Sequence, residues 1–413
     1  MNAPVPTFDA AALDLSTLDM SDPDWYAHDT WHDPFRRLRA EDPVHFCPES
    51  EFGPYWSVTK YNDIMTVELD PETYSSEAGG IQIRDIKDDY SAPNFIRMDP
   101  PRHTAQRKTV APIVAPFNLK NFTPTIRERT NYVLDSLPVN EEFDWVDQVS
   151  IELTTMMLAT LFDFPFEERR KLTFWSDVAI FFDFDAPDAL VKSEEERWGE
   201  LVKMAEYFRH LWDERAKAEP AFDLISMLAH GPETANMDMR EFIGNLGLLI
   251  VGGNDTTRNS MSGGLYYLNQ HPGEWEKLRA DHGLVPKMVA ETIRYQTPVI
   301  HMRRTATRDA ELGGKRIAKG DKVVMWYVSG NRDEEVIPQA DDFIVDRAKP
   351  RQHLSYGAGI HRCVGDRLAD LQLAILWEEI LKRDLKIEVL GQPERMRNNF
   401  IRGIRKLPVR IVG

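Results

Sequence analysis

The residues with the clearest chemical potential lie in one glycine-rich segment, His353-Leu354-Ser355-Tyr356-Gly357-Ala358-Gly359-Ile360-His361-Arg362-Cys363-Val364-Gly365. Its glycines let the backbone turn tightly and approach a flat object closely, because no Cβ stands in the way. Cys363 lies where a predicted helix starts, and the N–H groups and positive end of a helix stabilise a thiolate. A thiolate can bind iron. We therefore predict that Cys363 is a metal ligand; the alternative is a buried structural cysteine in a glycine-rich turn.

This segment resembles the haem-binding loop of the cytochrome P450 family, in the spacing of its three glycines, His361 and Cys363. The resemblance implies a haem b whose iron is held by Cys363, with Tyr356 and Gly357 beside the haem. It also implies a mainly α-helical fold with small β-sheets, in which a long central helix crosses above the haem and the cysteine loop lies beneath it. The family usually has Phe at the position of Tyr356. The ring could still shield the sulfur, while the hydroxyl needs a partner if it is buried.

Haem carries two propionate groups, which need cationic or hydrogen-bonding partners. The pattern Pro-Pro-x-His-x-x-x-Arg places His103 and Arg107 four residues apart on one helix face and resembles the propionate-binding helix of the family. Arg304 and His361 match two further propionate partners. For each of the four, a base on the surface is the alternative.

A second set of charged residues matches a structural feature of the family. Glu291 and Arg294 lie three residues apart on a predicted helix, and Arg347 follows later in the chain. Taken alone, an acid and an arginine at this spacing usually mark a solvated helix face. The resemblance implies that the three form a buried ionic cluster behind the haem. We assign them to folding, because a buried ion network is held by its geometry.

Residues 237–271 predict one long helix with Gly252 and Gly253 at its centre. Glycines in a helix interior cost about 1 kcal/mol each relative to alanine, so a compensating function is expected. We predict that they open a groove for dioxygen above the iron, and that the Thr256 hydroxyl bonds the carbonyl of Gly252 and bends the helix. In the family pattern, Asp255 and Thr256 relay the protons that dioxygen activation consumes. An ordinary bent helix with a polar kink is the alternative.

The match runs through nearly the whole chain from about residue 34, and it extends to a subfamily. Residues 252–264, 359–365 and 371–379 resemble the bacterial alkane hydroxylases of the family. This implies terminal hydroxylation of medium-chain alkanes or fatty acids, with electrons from a ferredoxin and its reductase. The chain contains no Gly-x-Gly-x-x-Gly element and no cluster of four cysteines. The electrons are therefore expected to come from a separate protein.

Other functions remain open from the residues alone. Hydroxylation of a bulkier terpene or steroid would use the same fold. A haem-binding sensor or carrier would not need Asp255 and Thr256, since gas binding needs no proton relay. Peroxide-driven members of the family typically carry Arg-Pro in place of this pair, a change that is absent here.

By position in the family's fold, the substrate pocket is expected to be lined by Ile81, Ile83, Leu248, Val251, Gly252, Val299, Ile300, Phe400 and Ile401. Their apolar character fits linear and bulky substrates alike, and core packing is the alternative for each of them. The aromatic residues between Phe162 and Phe184 either line the access region or form a hydrophobic cluster under a loop.

The elements that must position these residues are mostly helical. Helices are predicted over residues 99–298, with breaks near Pro138, Pro165, Pro187 and Pro220. A further helix is predicted from Cys363 to Arg383. Short strands are predicted in a hairpin of residues 44–46 and 55–58, in a second small sheet within 311–328, and in 385–412. We expect residues 1–22 to be a loosely structured arm and 23–413 to be a single haem-binding domain.

The charge of the chain excludes several classes of partner. The formal net charge is −17, with 67 acidic residues against 50 lysines and arginines. Such a surface repels nucleic acids and anionic membranes. Residues 1–20 show no basic start followed by an apolar core, so no signal peptide is expected, and the longest apolar runs are too short to span a bilayer. We expect a cytoplasmic protein without stable membrane insertion that binds O2 and an apolar small molecule.

Overall fold

The computed structural model describes residues 12–187 and 189–413. Half of the predicted N-terminal arm, residues 1–11, lies outside this range. From residue 12 onward the arm contains a 3-10 turn at Leu15–Thr17, and Leu18 and Met20 are buried against the sheet. This part of the arm is therefore more closely packed than the sequence predicted.

The described chain is mainly helical, as predicted. The helices are α1 (Asp24–Ala27), α2 (His32–Glu41), α3 (Tyr61–Leu69), α4 (Arg102–Val110), α5 (Pro116–Asp135), α6 (Glu152–Phe162), α7 (Arg170–Ile180), α8 (Glu194–Arg215), α9 (Leu224–His230), α10 (Met239–Gln270), α11 (Pro272–Ala280), α12 (Val285–Gln296), α13 (Tyr327–Gly330) and α14 (Asp366–Lys382). Each of the four predicted breaks near a proline falls between two helices. Within the described residues, no helix is long and apolar enough to cross a membrane.

The strands form small sheets at the edges of the helical core. They are β1 (Val44–Cys47), β2 (Tyr55–Val58), β3 (Tyr74–Ser75), β4 (Glu142–Asp144), β5 (His301–Ala306), β6 (Ala310–Leu312), β7 (Lys315–Ile317), β8 (Lys322–Trp326), β9 (Lys386–Val389), β10 (Glu394–Arg395), β11 (Ile404–Lys406) and β12 (Pro408–Val412). The largest sheet has the order β1-β2-β8-β5-β3. The predicted hairpin is confirmed as β1 and β2, with Val44 opposite Val58.

The prediction of a separate sheet within residues 311–328 is wrong in part. Strands β6 and β7 do form a hairpin of their own, but β8 lies between β2 and β5 in the largest sheet. Every residue of β8 is buried. A strand that is covered on both faces belongs in the middle of a sheet, so its apolar run should have indicated a central strand.

The long predicted helix is confirmed as α10. Its first turn is capped by Asp238, whose carboxylate accepts a hydrogen bond from the N–H of Glu241 at 2.8 Å. It ends before the sequence His271-Pro272, because the residue before a proline disfavours the helical conformation. Helix α10 packs against α6, α7, α8 and α12, and it therefore holds its central residues at a fixed position in the core.

The predicted ionic cluster of Glu291, Arg294 and Arg347 is present and buried. The Glu291 carboxylate accepts from Arg294 at 2.7 and 2.8 Å and from Arg347 at 2.9 and 3.1 Å. Arg294 also donates to the backbone carbonyls of Asn331 and Ala340 at 2.8 and 2.7 Å. The cluster thus joins α12 to the chain that leads into the cysteine loop, so its role is structural.

Candidate active site

A cavity of about 340 Å³ brings the two predicted motifs together. This volume lies within the range of roughly 300–1,000 Å³ that is usual for small-molecule sites. Part of its wall comes from α10, with Leu248, Val251, Gly252 and Thr256. Another part comes from the cysteine loop, with Tyr356, Gly357, His361 and Cys363.

The two cysteines have different environments. Cys363 opens into the cavity, whereas Cys47 is buried in β1 and directs its thiol to the carbonyl of Glu49 at 3.3 Å. Burial raises the pKa of the Cys363 thiol to about 11, although the N–H of Gly365 acts in the opposite direction. The sulfur is therefore a thiolate only when a cation lies next to it, and a bound metal ion is such a cation.

Helix α14 begins later than the sequence predicted. Its first residue is Asp366, three positions after Cys363, and a 3-10 turn at Gly359–His361 precedes the cysteine. The sulfur is consequently stabilised by a local N–H rather than by the first turn of a long helix. The N–H of Cys363 itself donates to the carbonyl of Tyr356 at 2.8 Å, which closes the loop.

The three glycines of the loop have unequal roles. Gly357 and Gly359 have φ values of +65° and +61°, in the left-handed region that favours glycine. A Cβ on Gly359 would lie 2.5 Å from the backbone oxygen of Glu68 at the end of α3. At Gly365 a Cβ would meet nothing within 4 Å, and φ is −95°. Gly357 and Gly359 are therefore needed for the fold of the loop itself, whereas Gly365 leaves space in the cavity that it lines.

Tyr356 has the partner that its hydroxyl needs. The hydroxyl donates to the Asp370 carboxylate at 2.8 Å and lies 3.2 Å from the carbonyl of Asp366. Burial and the negative charge of Asp370 raise the pKa of Tyr356 well above its ordinary value. The ring therefore stays neutral, with its hydroxyl directed toward α14.

Three of the four predicted propionate partners, Arg107, Arg304 and His361, line the cavity. His103 is not among the lining residues and lies behind His361, with a ring-to-ring distance of 4.3 Å. Both ring nitrogens of His103 and Nδ1 of His361 are buried without a hydrogen-bond partner among the described residues. Buried polar groups are normally satisfied. These orphan nitrogens therefore fit a polar group that enters the cavity beside them, as a haem propionate would.

The two histidines are neutral. Burial, followed by repulsion from Arg304, lowers the pKa of His361 to about 2, and burial also lowers the pKa of His103. Nε2 of His361 lies 3.1 Å from the hydroxyl of Ser76. A neutral His361 can therefore use its other ring nitrogen toward an incoming ligand.

The glycines of α10 also differ from one another. The Thr256 hydroxyl donates to the carbonyl of Gly252 at 3.0 Å, as predicted. A Cβ on Gly252 would meet nothing within 4 Å, because this residue faces the cavity. A Cβ on Gly253 would lie 2.6 Å from Cδ2 of Leu158 in α6. Gly252 therefore leaves space in the cavity, whereas Gly253 allows two helices to approach.

Asp255 is turned away from the cavity and toward α7. It is fully buried, accepts a hydrogen bond from the Ser176 hydroxyl at 2.6 Å and pairs with Arg258 at 2.5 Å. Arg258 also pairs at 2.5 Å with Asp177, whose side chain is 31% exposed. Asp255 does not itself reach solvent, and Arg258 and Asp177 lie between its carboxylate and the surface. Burial raises the pKa of Asp255 to about 6, against the effect of Arg258.

Most of the predicted pocket residues line the cavity, namely Ile81, Leu248, Val251, Gly252, Val299, Phe400 and Ile401. Ile83 and Ile300 do not, and this part of the prediction is corrected. Both pack in the core with Trp326. Val299 and Ile300 are consecutive in extended chain, so their side chains point to opposite sides. The N–H of Ile83 is bound to the ring of His301 at 3.0 Å, which holds this residue against the sheet.

The aromatic residues between Phe162 and Phe184 lie partly in the core and partly at the surface. Phe162, Phe164 and Trp175 pack around Phe208 with ring centroids 5.3–5.9 Å apart. Phe182 is the member of this group that lines the cavity. The interpretation as a hydrophobic cluster therefore applies to Phe162, Phe164 and Trp175, whereas Phe166 and Phe174 are exposed.

Several lining residues were missed because they come from elements whose sequence carries no chemical motif. They include Phe95, Ile96, Arg97, Val110, Leu158, Leu161, Ile243 and Met302. Only the packing of the 3-10 turn at Phe95–Arg97, α4, α6, α10 and β5 around one space brings them together. An arginine in an otherwise apolar stretch was the one signal that could have drawn attention to Arg97.

Comparison with known proteins identifies the family to which this chain belongs. Residues 54–409 match the model of the family described as Cytochrome P450. The chain belongs to the cytochrome P450 family. As a member of this family it is an oxidoreductase, a monooxygenase whose haem iron has a cysteine thiolate ligand.

Relatives of this P450 match it over almost its entire length. It is 38% identical to linalool 8-monooxygenase from Pseudomonas putida, with 95% of this chain and 98% of the relative covered. Among solved structures, CYP153D17 from Sphingomonas sp. PAMC 26605 is 53% identical, with a TM-score of 0.90 and coverage of 96% and 99%. Cytochrome P450-153 from Novosphingobium aromaticivorans is 49% identical, with a TM-score of 0.89 and coverage of 95% and 99%. These matches confirm the predicted P450 fold.

Two glycine substitutions test how the cysteine loop of this P450 is packed. Gly359→Ala should lower the free energy of unfolding by about 2 kcal/mol or more, because a Cβ there meets the backbone of Glu68 in a left-handed conformation. Gly273→Ala is the control and should not lower it, because Gly273 lies in α11 outside the cavity and a Cβ there meets nothing within 4 Å. Thermal unfolding of the haem-loaded protein and its haem content after purification measure both variants. Equal stability of the two would contradict the assigned contact.

Proposed function

We propose that this P450 hydroxylates the terminal carbon of medium-chain alkanes or fatty acids in the cytoplasm, with O2 and electrons from a ferredoxin and its reductase. The main support is the apolar wall formed by Leu248, Val251 and Val299 in the cavity that also contains Cys363 and Thr256. The resemblance to bacterial alkane hydroxylases supports the same substrate class. Residues from Glu68 to Ile401 line this one cavity, which supports a single domain over residues 23–413.

The residues present fit a haem. Cys363 would supply the sulfur ligand to the iron, and Arg107, Arg304 and His361 would bind the propionates, with His103 behind His361. When bound, the haem supplies dioxygen activation and electron transfer, chemistry that no side chain of the cavity can supply. The protein contributes the shape of the cavity and the placement of protons and substrate.

Thr256 and Asp255 would deliver the protons. The Thr256 hydroxyl lies at the cavity wall beside the open space at Gly252, and Asp255 precedes it on the opposite side of α10. A carboxyl group with a pKa near 6 can take up and release a proton close to neutral pH. Asp255 would exchange its proton with solvent when its ion pair with Arg258 opens, because Arg258 also pairs with the partly exposed Asp177 and can stay bound there. The Asp255 side chain must rotate toward Thr256 to complete the path.

Terminal attack requires positioning, because the terminal methyl C–H bond is stronger than its neighbours. An oxidant with free access to the chain would therefore react at internal carbons. Leu248, Val251 and Val299 would form a collar that presents only the chain end, which is an effect of proximity and orientation. Ile300, which the sequence suggested for this collar, is excluded because it lies in the core.

A second candidate is hydroxylation of a terpene. It is favoured by the 38% identity to linalool 8-monooxygenase, whose name specifies linalool as the substrate. The apolar lining accommodates either class, since hydrophobic walls discriminate weakly between shapes of similar volume. The spin-state shift of the haem on titration with octane and with linalool separates the two candidates.

Arg362 and Arg367 would form a basic docking site for the ferredoxin near the sulfur. Arg367 is exposed, and Arg362 is half-exposed but paired with Asp366 at 2.8 Å. Part of the positive charge at this site is therefore already compensated. The remaining charge suits an acidic partner, and the association should weaken as salt is added.

The first prediction concerns the ligand. Cys363→Ser should abolish the thiolate-type Soret band of the reduced carbon monoxide complex, because a hydroxyl does not donate electrons as sulfur does. Cys47→Ser is the control and should keep the band, since Cys47 lies away from the cavity. Persistence of the band in Cys363→Ser would refute the assignment of Cys363.

A further prediction concerns proton delivery. Thr256→Ala should retain substrate binding but divert electrons to peroxide or water, and Asp255→Asn should slow turnover by about 10-fold or more. Thr256→Ser keeps the hydroxyl and should restore most of the coupling. The measurements are the product formed per electron consumed and the steady-state rate. Unchanged coupling and rate in Thr256→Ala and Asp255→Asn would exclude the relay.

The docking prediction uses charge reversal. Arg362→Glu together with Arg367→Glu should raise the ferredoxin concentration needed for half-maximal rate, and the effect should shrink in high salt. Reversal of Arg316, which is exposed on the β7 hairpin, is the control and should have no effect. An unchanged ferredoxin requirement in the double variant would place the docking site elsewhere.

The last prediction here is regiochemistry. The enzyme with a ferredoxin system should convert octane mainly to the 1-alcohol, and Leu248→Ala or Val251→Ala should increase the internal alcohols. Ile300→Val is a matched control, because Ile300 is buried outside the cavity, and it should leave the product ratio unchanged. Gas chromatography of the products gives the ratio. Mainly internal alcohols from the unmodified enzyme would refute terminal hydroxylation.

A further inference from the structure

Arg97 is a cation of the cavity wall whose side chain has no acceptor. It ends the 3-10 turn Phe95–Arg97 and lines the cavity. Its guanidinium lies beside Gly80, where a Cβ would be 3.0 Å from Nη2. Within residues 12–187 and 189–413, no carboxylate, carbonyl or hydroxyl accepts a hydrogen bond from this guanidinium.

The other arginines of the cavity wall are already engaged. Arg84 pairs with Glu51 at 3.3 Å, Arg197 with Glu194 at 2.9 Å, and Arg304 with Glu68 at 3.1 Å. Arg107 donates to the carbonyl of Arg362 at 2.5 Å. Arg97 therefore differs from all of them in the part of the chain that the structure describes.

The surroundings of Arg97 leave its charge uncompensated. The side chain is half-buried, and the nearest charged group that affects it is Arg303, which is also a cation. Arg303 has its own partner, Asp85. Burial and then repulsion by Arg303 lower the pKa of Arg97. A buried charge without a partner is costly, so an anion from outside the chain is the expected complement.

We propose that Arg97 binds a carboxylate inside the cavity. A guanidinium presents two parallel N–H donors that match the two oxygens of a carboxylate. Gly80 has no side chain, and this leaves room for the guanidinium of Arg97 itself, which lies against it and lines the cavity. Such a carboxylate has two sources, a propionate of the haem or the head group of a fatty acid.

Both sources are consistent with the surrounding contacts. Arg304, a predicted propionate partner, already pairs with Glu68, which also accepts from Tyr327. A propionate would therefore gain an uncompensated cation from Arg97. The carboxylate of a fatty acid would bind the Arg97 guanidinium, while its alkyl chain contacts the apolar walls. Binding of a fatty-acid head group rests on the proposed function, and it would narrow the substrate class from alkanes or fatty acids to fatty acids.

The test compares Arg97→Gln with Arg84→Gln in the haem-loaded protein. Arg84 also lines the cavity but has Glu51 as its acceptor, so it is the matched control. The first measurement is the rate at which haem transfers to an excess of a haem-free acceptor protein. The second is the spin-state titration with dodecanoic acid, its methyl ester and dodecane. Arg97→Lys, which keeps the charge, serves if Arg97→Gln does not fold.

If a propionate is the ligand, Arg97→Gln should speed haem loss roughly tenfold and leave the relative affinities for acid and ester unchanged. If the fatty acid is the ligand, haem loss should be unchanged and the Kd for the acid should rise roughly tenfold, while that for the ester and dodecane stays constant. Either result supports carboxylate binding by Arg97. No change in both measurements, or equal changes in Arg84→Gln, would overturn it. Neither measurement requires turnover, so failure of terminal hydroxylation would be seen separately in the products.

Discussion

The contact between Gly359 and the backbone of Glu68 fixes where Cys363 can lie. Gly359 approaches the Glu68 carbonyl so closely that no side chain fits between them, and this seats the loop against the end of α3. The side chain of Glu68 extends from the same point to Arg304 and Tyr327. One residue of α3 therefore sets the position of the cysteine loop and of a cation on the cavity wall. A displacement of α3 would therefore move Cys363 and Arg304 together.

The central residues of helix α10 have different roles on the side of the cavity and on the side that faces away from it. Toward the cavity it must leave space, which Gly252 provides, and it must present a hydroxyl, which Thr256 provides. Away from the cavity, Asp255 pairs with Arg258, which also pairs with the partly exposed Asp177. The hydrogen bond from Thr256 to the Gly252 carbonyl holds the hydroxyl beside the open space. Adjacent residues of a helix point in different directions, so a relay from Asp255 to Thr256 depends on side-chain rotation.

Features that follow from local pattern could be predicted from the sequence, and features that depend on packing could not. The bounds of α10 follow from a cap at Asp238 and a proline at residue 272, and the cysteine loop is a short contiguous motif. The exclusion of Ile300 from the cavity depends on the pairing of the adjacent Val299 with Ile401. The lack of a partner for Arg97 can be known only when every neighbour is placed. A sequence shows which residues carry charge, but only the structure shows which charges are paired.

The distribution of charge around the cavity bears on what it can select. Apolar side chains of α10, together with Val299 and Met302, form much of the wall, and they can exclude a substrate by its shape but form no hydrogen bond with its polar groups. Differences of one methylene in such a wall are worth only about 1–3 kcal/mol. A cation without a partner acts differently, because a ligand that leaves it unpaired loses the whole of a charged hydrogen bond. Discrimination by chain shape therefore rests on Leu248, Val251 and Val299. Any discrimination by head group must come from an arginine whose charge the protein itself does not compensate, and Arg97 meets that condition.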